Sequence, residues 1–274
     1  MASKPSTILI VDDDKTVIEQ LTTHFRRIGY ETIATTNSTM IEQVFEGFAV
    51  NLVFLDLRME GLNGYEVIKR MKEKKIEVPL IIITAYYEDE KANLSAIGIT
   101  REDVLEKPFR DFTKLENAIN KKLGKTGAAS EENANDYEDD IYYSNRTKIA
   151  LVDDESEITD MLSEVLEARQ YQVKTFRRGD QALEHLVKEE CDIAIIDMKI
   201  PGVPGDELIQ KVTTAKPSIK IIPVSAAYAR EMRDLLNKIG FDSTKLVNKP
   251  FDLYQLIGKV KALAIEAGTL GEKS

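Results

Sequence analysis

A chain that repeats the same polar positions at the same spacing has to fold as two copies of one unit. Asp12-Asp13, Asp56, Thr84 and Lys107-Pro108-Phe109 return as Asp153-Asp154, Asp197, Ser225 and Lys249-Pro250-Phe251. In both copies 43 residues lead from the second acid to the lone aspartate, and 28 lead from that aspartate to the hydroxyl residue. From hydroxyl to lysine the interval is 23 residues in the first copy and 24 in the second. One acid pair means little in a chain with 47 acidic residues, but a solvated surface gives no reason to hold five polar positions in order across two diverged copies. The period of about 141 residues is far too long for a solenoid unit, so each copy is a domain able to bury its own core. The expected division is a first domain over 1–123, a linker over 124–146 and a second domain over 147–274.

Composition narrows the function classes. A hydrophobic content of 43% fits globular chains, and no segment approaches the 18 or more apolar residues of a membrane span. Met1 to Ser6 leads into a strand without a long apolar run, so the expectation is a cytoplasmic protein with no signal peptide. The net charge is −10 and neither domain is basic, which argues against nucleic acid as a partner. Cys191, the single cysteine, excludes an intramolecular disulfide and reads as a small core residue. The linker begins with small residues and continues through Glu131, Glu132, Asp136, Glu138, Asp139 and Asp140, a solvated spacer spanning on the order of 25 Å if flexible.

Short apolar runs alternate with amphipathic stretches in each copy, the pattern of parallel strands joined by helical crossovers. The first copy predicts strands at 7–11, 32–34, 52–55, 80–84 and 104–106, with helices near 15–28, 38–47, 64–74, 88–97 and 112–123. Val17, Ile18, Leu21, Phe25 and Ile28 mark the buried stripe of the first helix, and Val67, Ile68 and Met71 that of the third. The second copy predicts strands near 148–152, 172–175, 193–196, 220–224 and 245–247, with helices near 156–169, 179–189, 205–215, 228–239 and 252–265. Its central strands are apolar on both faces, as helix-covered strands are. Pro223 in one of them has no N–H and must sit where the ladder needs no donor.

In an open α/β sheet the ligand site lies at the carboxyl ends of the strands, where the strand order reverses. The acid pair follows the first strand, the lone aspartate ends the third, the hydroxyl residue ends the fourth and the lysine follows the fifth. All therefore converge on one crevice. Three carboxylates there would repel by roughly 4 kcal/mol per pair at about 4 Å and an effective dielectric near 20. A divalent cation relieves this, and oxygen ligands without His or Cys favour Mg2+. A carboxylate beside such a cation, with a lysine and a hydroxyl near, suits in-line phosphoryl transfer that leaves an acyl phosphate.

Each copy resembles a response-regulator receiver domain of two-component signalling. The resemblance rests on Ile8 to Asp13, Leu55 to Gly64, Ile83-Thr84-Ala85 and Glu106 to Phe109, and again on Ala150 to Asp154, Ile196 to Gly205, Val224-Ser225-Ala226 and Asn248 to Phe251. It implies two flavodoxin-like (βα)5 domains, each with a five-stranded parallel sheet of order 2-1-3-4-5. It further implies that Asp56 and Asp197 accept phosphoryl groups from a histidine kinase or histidine phosphotransfer protein. Asp13 and Asp154 would bind Mg2+ directly, Asp12 and Asp153 through water, with the backbone carbonyls of Arg58 and Lys199 as further ligands. Thr84 and Ser225 would bond the phosphoryl oxygens, and Lys107 and Lys249 would pair with them. Cis bonds are expected at Pro108 and Pro250. Output would run through contacts with a downstream protein or through pairing of receiver domains, and such domains catalyse only their own phosphorylation and dephosphorylation.

Several positions depart from the family pattern. Val104 and Leu246 stand where a switching aromatic is common, and the intervals Gly98 to Lys107 and Gly240 to Lys249 predict an extended connection before the fifth strand. Two residues past the hydroxyl the copies differ, Tyr86 against Ala227, which predicts faster loss of phosphate from the second domain. His24 and His185 lie on predicted helices among apolar residues and read as structural, so the phosphoryl donor is another protein. A haloacid-dehalogenase-type phosphatase would need an acid two residues after its nucleophile, where Arg58 and Lys199 stand. A phosphorylation-independent docking scaffold on the same fold is the remaining alternative.

Overall fold

The computed structural model describes residues 5–109, 112–124, 147–226 and 229–268, with Ala229 in its backbone alone. The expected linker lies almost wholly outside them, as do Ala227 and the chain ends. The described chain divides into two compact units, each around its own sheet.

The first runs β1 (Thr7–Val11), α1 (Lys15–Arg27), β2 (Glu31–Thr35), α2 (Ile41–Gly47), β3 (Leu52–Asp56), α3 (Gly64–Glu73), β4 (Leu80–Thr84), α4 (Tyr87–Ala96), β5 (Val104–Glu106) and α5 (Phe112–Leu123). Its strands pair in parallel in the order β2-β1-β3-β4-β5. The second runs β6 (Lys148–Val152), α6 (Ser156–Glu167), β7 (Gln172–Phe176), α7 (Gly179–Lys188), β8 (Ile193–Asp197), α8 (Gly205–Ala215), β9 (Lys220–Ser225), α9 (Ala229–Lys238), β10 (Val247–Asn248) and α10 (Leu253–Glu266), in the order β7-β6-β8-β9-β10. Numbered within each unit, both orders are 2-1-3-4-5, as the resemblance implies.

Alternation along the strands sends successive side chains to opposite faces. Ile8, Ile10, Leu52, Phe54, Ile81 and Ile83 pack on Leu21 and Phe25 of α1 and on Leu115 and Ile119 of α5. Leu9, Val11, Val53, Leu55 and Ile82 are buried too, so the central strands are dry on both sides and no ladder edge there meets water. The predicted stripe of α3, Val67, Ile68 and Met71, is buried as expected. In the second sheet Ala150, Val152, Ala194, Ile196 and Ile221 pack on α7, α8 and α9 through Ala182, Leu186, Leu208, Ile209, Val212 and Leu236.

The ends of the elements differ from expectation where local polar chemistry decides. The predicted second helix over 38–47 begins as a 3-10 turn, Ser38–Met40, capped by the Asn37 side chain, and becomes α-helical only at Ile41. The long intervals before β5 and β10 are likewise not loose. Each holds a 3-10 turn, Arg101–Asp103 closed by reciprocal Thr100 and Asp103 bonds, and Ser243–Lys245 capped by Asp242. The second turn takes Lys245 out of the predicted last strand, which starts at Val247. Pro223 lies opposite Ile196 of β8, but its neighbour Val224 supplies the carbonyl that bonds Met198 on that side. The ring nitrogen of Pro223 therefore faces the β10 side, where pairing starts only at Val224, and no donor is missed.

Candidate functional site

The strand ends bring a lone aspartate and a lysine together in each domain. Asp56 closes β3 and Asp197 closes β8, both buried. Helices α3 and α8 begin eight residues later with glycines pressed against the strand end. A Cβ on Gly64 would lie 2.5 Å from the Asp56 carbonyl oxygen and 2.8 Å from Leu57 Cα. On Gly205 it would lie 2.5 Å from the Asp197 carbonyl oxygen and 2.6 Å from Met198 Cα. Only a residue without a side chain lets the helix start this close. In the first domain Asn63 and Glu66 then cap α3 reciprocally.

The two aspartates are held alike. Asp56 Oδ1 accepts the Arg58 N–H at 3.4 Å and Oδ2 accepts from Lys107 Nζ at 2.8 Å. Asp197 Oδ1 accepts the Lys199 N–H at 2.8 Å and Oδ2 accepts from Lys249 Nζ at 2.9 Å. The lysines are placed by their backbones, since Lys107 N–H donates to the Thr84 carbonyl at 2.9 Å and Lys249 N–H to the Ser225 carbonyl at 2.8 Å. Both Lys-Pro bonds are cis, as expected. Thr84 and Ser225 are buried beside them.

Among the acids the domains part company. In the first, one carboxylate oxygen from each of Asp12, Asp13 and Asp56 lies within 4.8 Å of the others. Asp12 is fully buried, 2.6 Å from Lys107 Nζ, while exposed Asp13 is pinned by the Glu60 N–H at 3.0 Å. In the second, the corresponding group is Asp153, Glu155 and Asp197, and the exposed Asp154 lies outside it. Two local differences account for this. Pro201 replaces Glu60 and has no N–H with which to fix Asp154. Glu155 replaces Asp14, whose short carboxylate caps α1 by accepting the Thr16 N–H at 2.8 Å; the longer Glu155 leaves α6 without a side-chain cap and reaches Lys249 Nζ at 2.9 Å. The acid after the pair was visible in the sequence, but nothing in its spacing distinguished a helix cap from a site residue.

Burial and charge work against each other here. Burial raises the Asp12 carboxyl above its ordinary range despite the Lys107 bond. Asp153 is pushed up to about 6, again chiefly by burial, with the Asp197 charge adding to it and Lys249 opposing. For Lys107 and Lys249 burial alone would lower the ammonium's affinity for its proton, but the surrounding carboxylates outweigh it and both are held above the usual lysine range. Both lysines therefore carry their charge. The hard oxygen donors of either cluster suit Mg2+, and each keeps more negative charge than its lysine neutralises.

The sequence reading missed a network beside the first site. Arg58 lies 4.2 Å over the Tyr86 ring, and its guanidinium meets Glu90 of α4 at 2.9 and 3.0 Å. Tyr65 of α3 donates to the other Glu90 oxygen at 2.8 Å, and burial together with that bond pushes its hydroxyl up to about 12. Tyr86 N–H in turn donates to Thr84 Oγ1 at 3.1 Å. Val104 and Leu246, in place of the switching aromatic, are buried. The bland readings of other residues fit their surroundings. Buried His24 meets Glu116 at 3.0 Å, His185 packs on Phe176, and the thiol of half-buried Cys191 donates to the Ile193 carbonyl at 3.1 Å. No helix among the described residues is long and apolar enough to cross a membrane.

The family model described as the response regulator receiver domain matches residues 8–120 and 149–261. The response regulator SaeR of Staphylococcus aureus is 30% identical over 102 residues, 37% of this chain and 44% of that protein, so the match spans less than half of the relative's length. The response regulator TrrA of Thermotoga maritima, solved in complex with Mg2+ and beryllofluoride, is 32% identical over 43% of this chain and 98% of its own, with a TM-score of 0.39. A probable two-component response regulator/GGDEF domain protein covers 96% of this chain and 99% of its own at 20% identity and a TM-score of 0.43. The family is one of two-component signalling, in which phosphorylation and Mg2+ binding are typical and catalysis of other substrates is not. With the model matched twice over most of its length, this chain belongs to the response regulator receiver domain family.

Proposed function

We propose that this chain is a tandem receiver protein that accepts phosphoryl groups on Asp56 and Asp197 from a histidine kinase or histidine phosphotransfer partner and then alters its contacts with a downstream protein. The boundaries we propose are 1–123 and 147–274 for the receivers, joined by an acidic linker over 124–146. The observation that carries the reading is the shared cradle. A buried aspartate at the end of a central strand has one oxygen on a backbone N–H and the other on a charged lysine, in both domains.

The proposed transfer forms a bond from the aspartate carboxylate oxygen to phosphorus. The phosphorus–nitrogen bond of the donor's phosphohistidine breaks, and its electron pair stays on the imidazole. Lys107 or Lys249 pairs with the phosphoryl oxygens, and the Thr84 or Ser225 hydroxyl donates to one of them. Asp12, Asp13, Asp56 and the Arg58 carbonyl would hold Mg2+ in the first domain. Asp153, Asp197 and the Lys199 carbonyl, with Asp154 or Glu155, would do so in the second. Bound there, Mg2+ supplies positive charge to the phosphoryl oxygens. Output follows if the phosphoryl group prefers one of two conformations, and a swing from 1:99 to 99:1 requires about 5.5 kcal/mol of such preference.

Intact mass after treatment with acetyl phosphate and Mg2+ tests the reading. The wild type should gain two phosphoryl groups, Asp56→Ala and Asp197→Ala one each, and the double variant none. No gain in any of them would favour the docking scaffold.

A further inference from the structure

An ammonium group has three N–H donors and no acceptor. In the second domain all three have carboxylate partners, because Lys249 Nζ lies 2.6 Å from Asp153, 2.9 Å from Glu155 and 2.9 Å from Asp197. Lys107 has two, Asp12 at 2.6 Å and Asp56 at 2.8 Å. The Lys249 side chain is correspondingly shut in, 1% exposed against 16% for Lys107. Glu155 is the outermost of its three partners, 41% exposed where Asp153 is 13% and Asp197 is 7%.

The proposed transfer asks each lysine for a bond to an incoming phosphoryl oxygen. Lys107 has a donor to give. Lys249 must first release a carboxylate, and the one at the rim, with water ready to solvate it, is Glu155. We propose that Glu155 is a positioning residue that occupies the third donor of Lys249 and slows phosphoryl acceptance at Asp197, so that the tandem loads at Asp56 first. The inference rests on the reading of Asp197 as an acceptor and adds to it an order between the domains. Asp14 shows the alternative: one methylene shorter, the residue at this position turns to the helix cap and leaves Lys107 with two carboxylate partners, not three.

The test uses the full chain carrying Asp56→Ala, so that only Asp197 is read. Phosphorylation by acetyl phosphate at saturating Mg2+ is followed by intact mass for Glu155, Glu155→Asp and Glu155→Gln. Glu155→Asp keeps the charge and restores the cap geometry of the first domain; Glu155→Gln keeps the length and weakens the hold. Both should accelerate acceptance by about tenfold, the rate equivalent of about 1.4 kcal/mol. Calorimetric Mg2+ titration of the parent and of each variant fixes the concentration at which each is saturated, so that rates compared there report release of the lysine and not a change in metal affinity. Acceptance at the parent rate or slower in both variants overturns the proposal. So does acceleration in Glu155→Gln alone, which would assign the effect to charge. If Asp197 gains nothing in any variant, the functional reading itself falls, and this inference with it.

Discussion

Replacing Lys249 by methionine probes the electrostatics of the second site most sharply. The substitution keeps the bulk of the stem but takes the ammonium from three carboxylates that lie 2.6 to 2.9 Å from it. Removing one partner of a buried ion pair costs about 3–5 kcal/mol. Glu155 can turn to water and Asp153 can take a proton, so the lower end of that range, about 3 kcal/mol, is expected near pH 7.5. Lys107→Met should cost less, about 1–2 kcal/mol, because Lys107 has two partners and more access to water. Hydrogen exchange across a urea series reads each domain separately. Peptides of β6 and β8 should lose protection at lower urea in Lys249→Met, while peptides of β1 and β3 keep theirs. Mg2+ should stabilise the variant more than the wild type, because a cation then meets three acids without a competing ammonium. A loss below about 1 kcal/mol, or one that Mg2+ does not reduce, would refute the idea that the lysine offsets crowded carboxylates.

Other expectations follow from the same geometry. Gly64→Ala forces a methyl against backbone at 2.5 Å and should cost about 1–3 kcal/mol by urea unfolding while slowing phosphorylation of Asp56, whereas Gly98→Ala, strained by its φ of +84° but with no atom within 4 Å of the added Cβ, should cost about 1–2 kcal/mol and leave that rate unchanged. The folded-state pKa of Asp153 lies at about 6, above its ordinary 3.8, so between these values the folded domain binds a proton that the unfolded chain lacks. The metal-free second domain should therefore gain stability as pH falls through that window, and its Mg2+ affinity, measured by calorimetry in Asp56→Ala, should weaken below about pH 6. In single-acceptor variants Asp197 should lose its phosphoryl group faster than Asp56, because Ala227 lacks the ring that Tyr86 sets under Arg58; a slower loss from Asp197, followed by intact mass, would contradict this.

The alternation of strands and helices, and the placing of acids, hydroxyl and lysine at strand ends, were legible because the period and apolar content of those elements are strong, whereas the strand order followed only from the resemblance to receiver domains. Pro223 could be placed only with the ladder in hand, since which side its nitrogen faces depends on register. The choice between cap and site at Asp14 and Glu155 turns on one methylene and on whether residue 60 or 201 owns an N–H, a contrast that pattern reading does not weigh. The Arg58, Glu90, Tyr65 and Tyr86 network joins four segments of the first domain through side chains alone, and such contacts leave no periodic trace. The expected linker falls almost wholly outside the described residues.

The atoms that carry phosphate are the most direct test of acceptance at the two aspartates. After treatment with acetyl phosphate and Mg2+, borohydride reduction and peptide mapping should show Asp56 and Asp197 converted to homoserine, Asp56 at earlier times. Phosphate on a serine, threonine or histidine, or both aspartates unconverted, would contradict it.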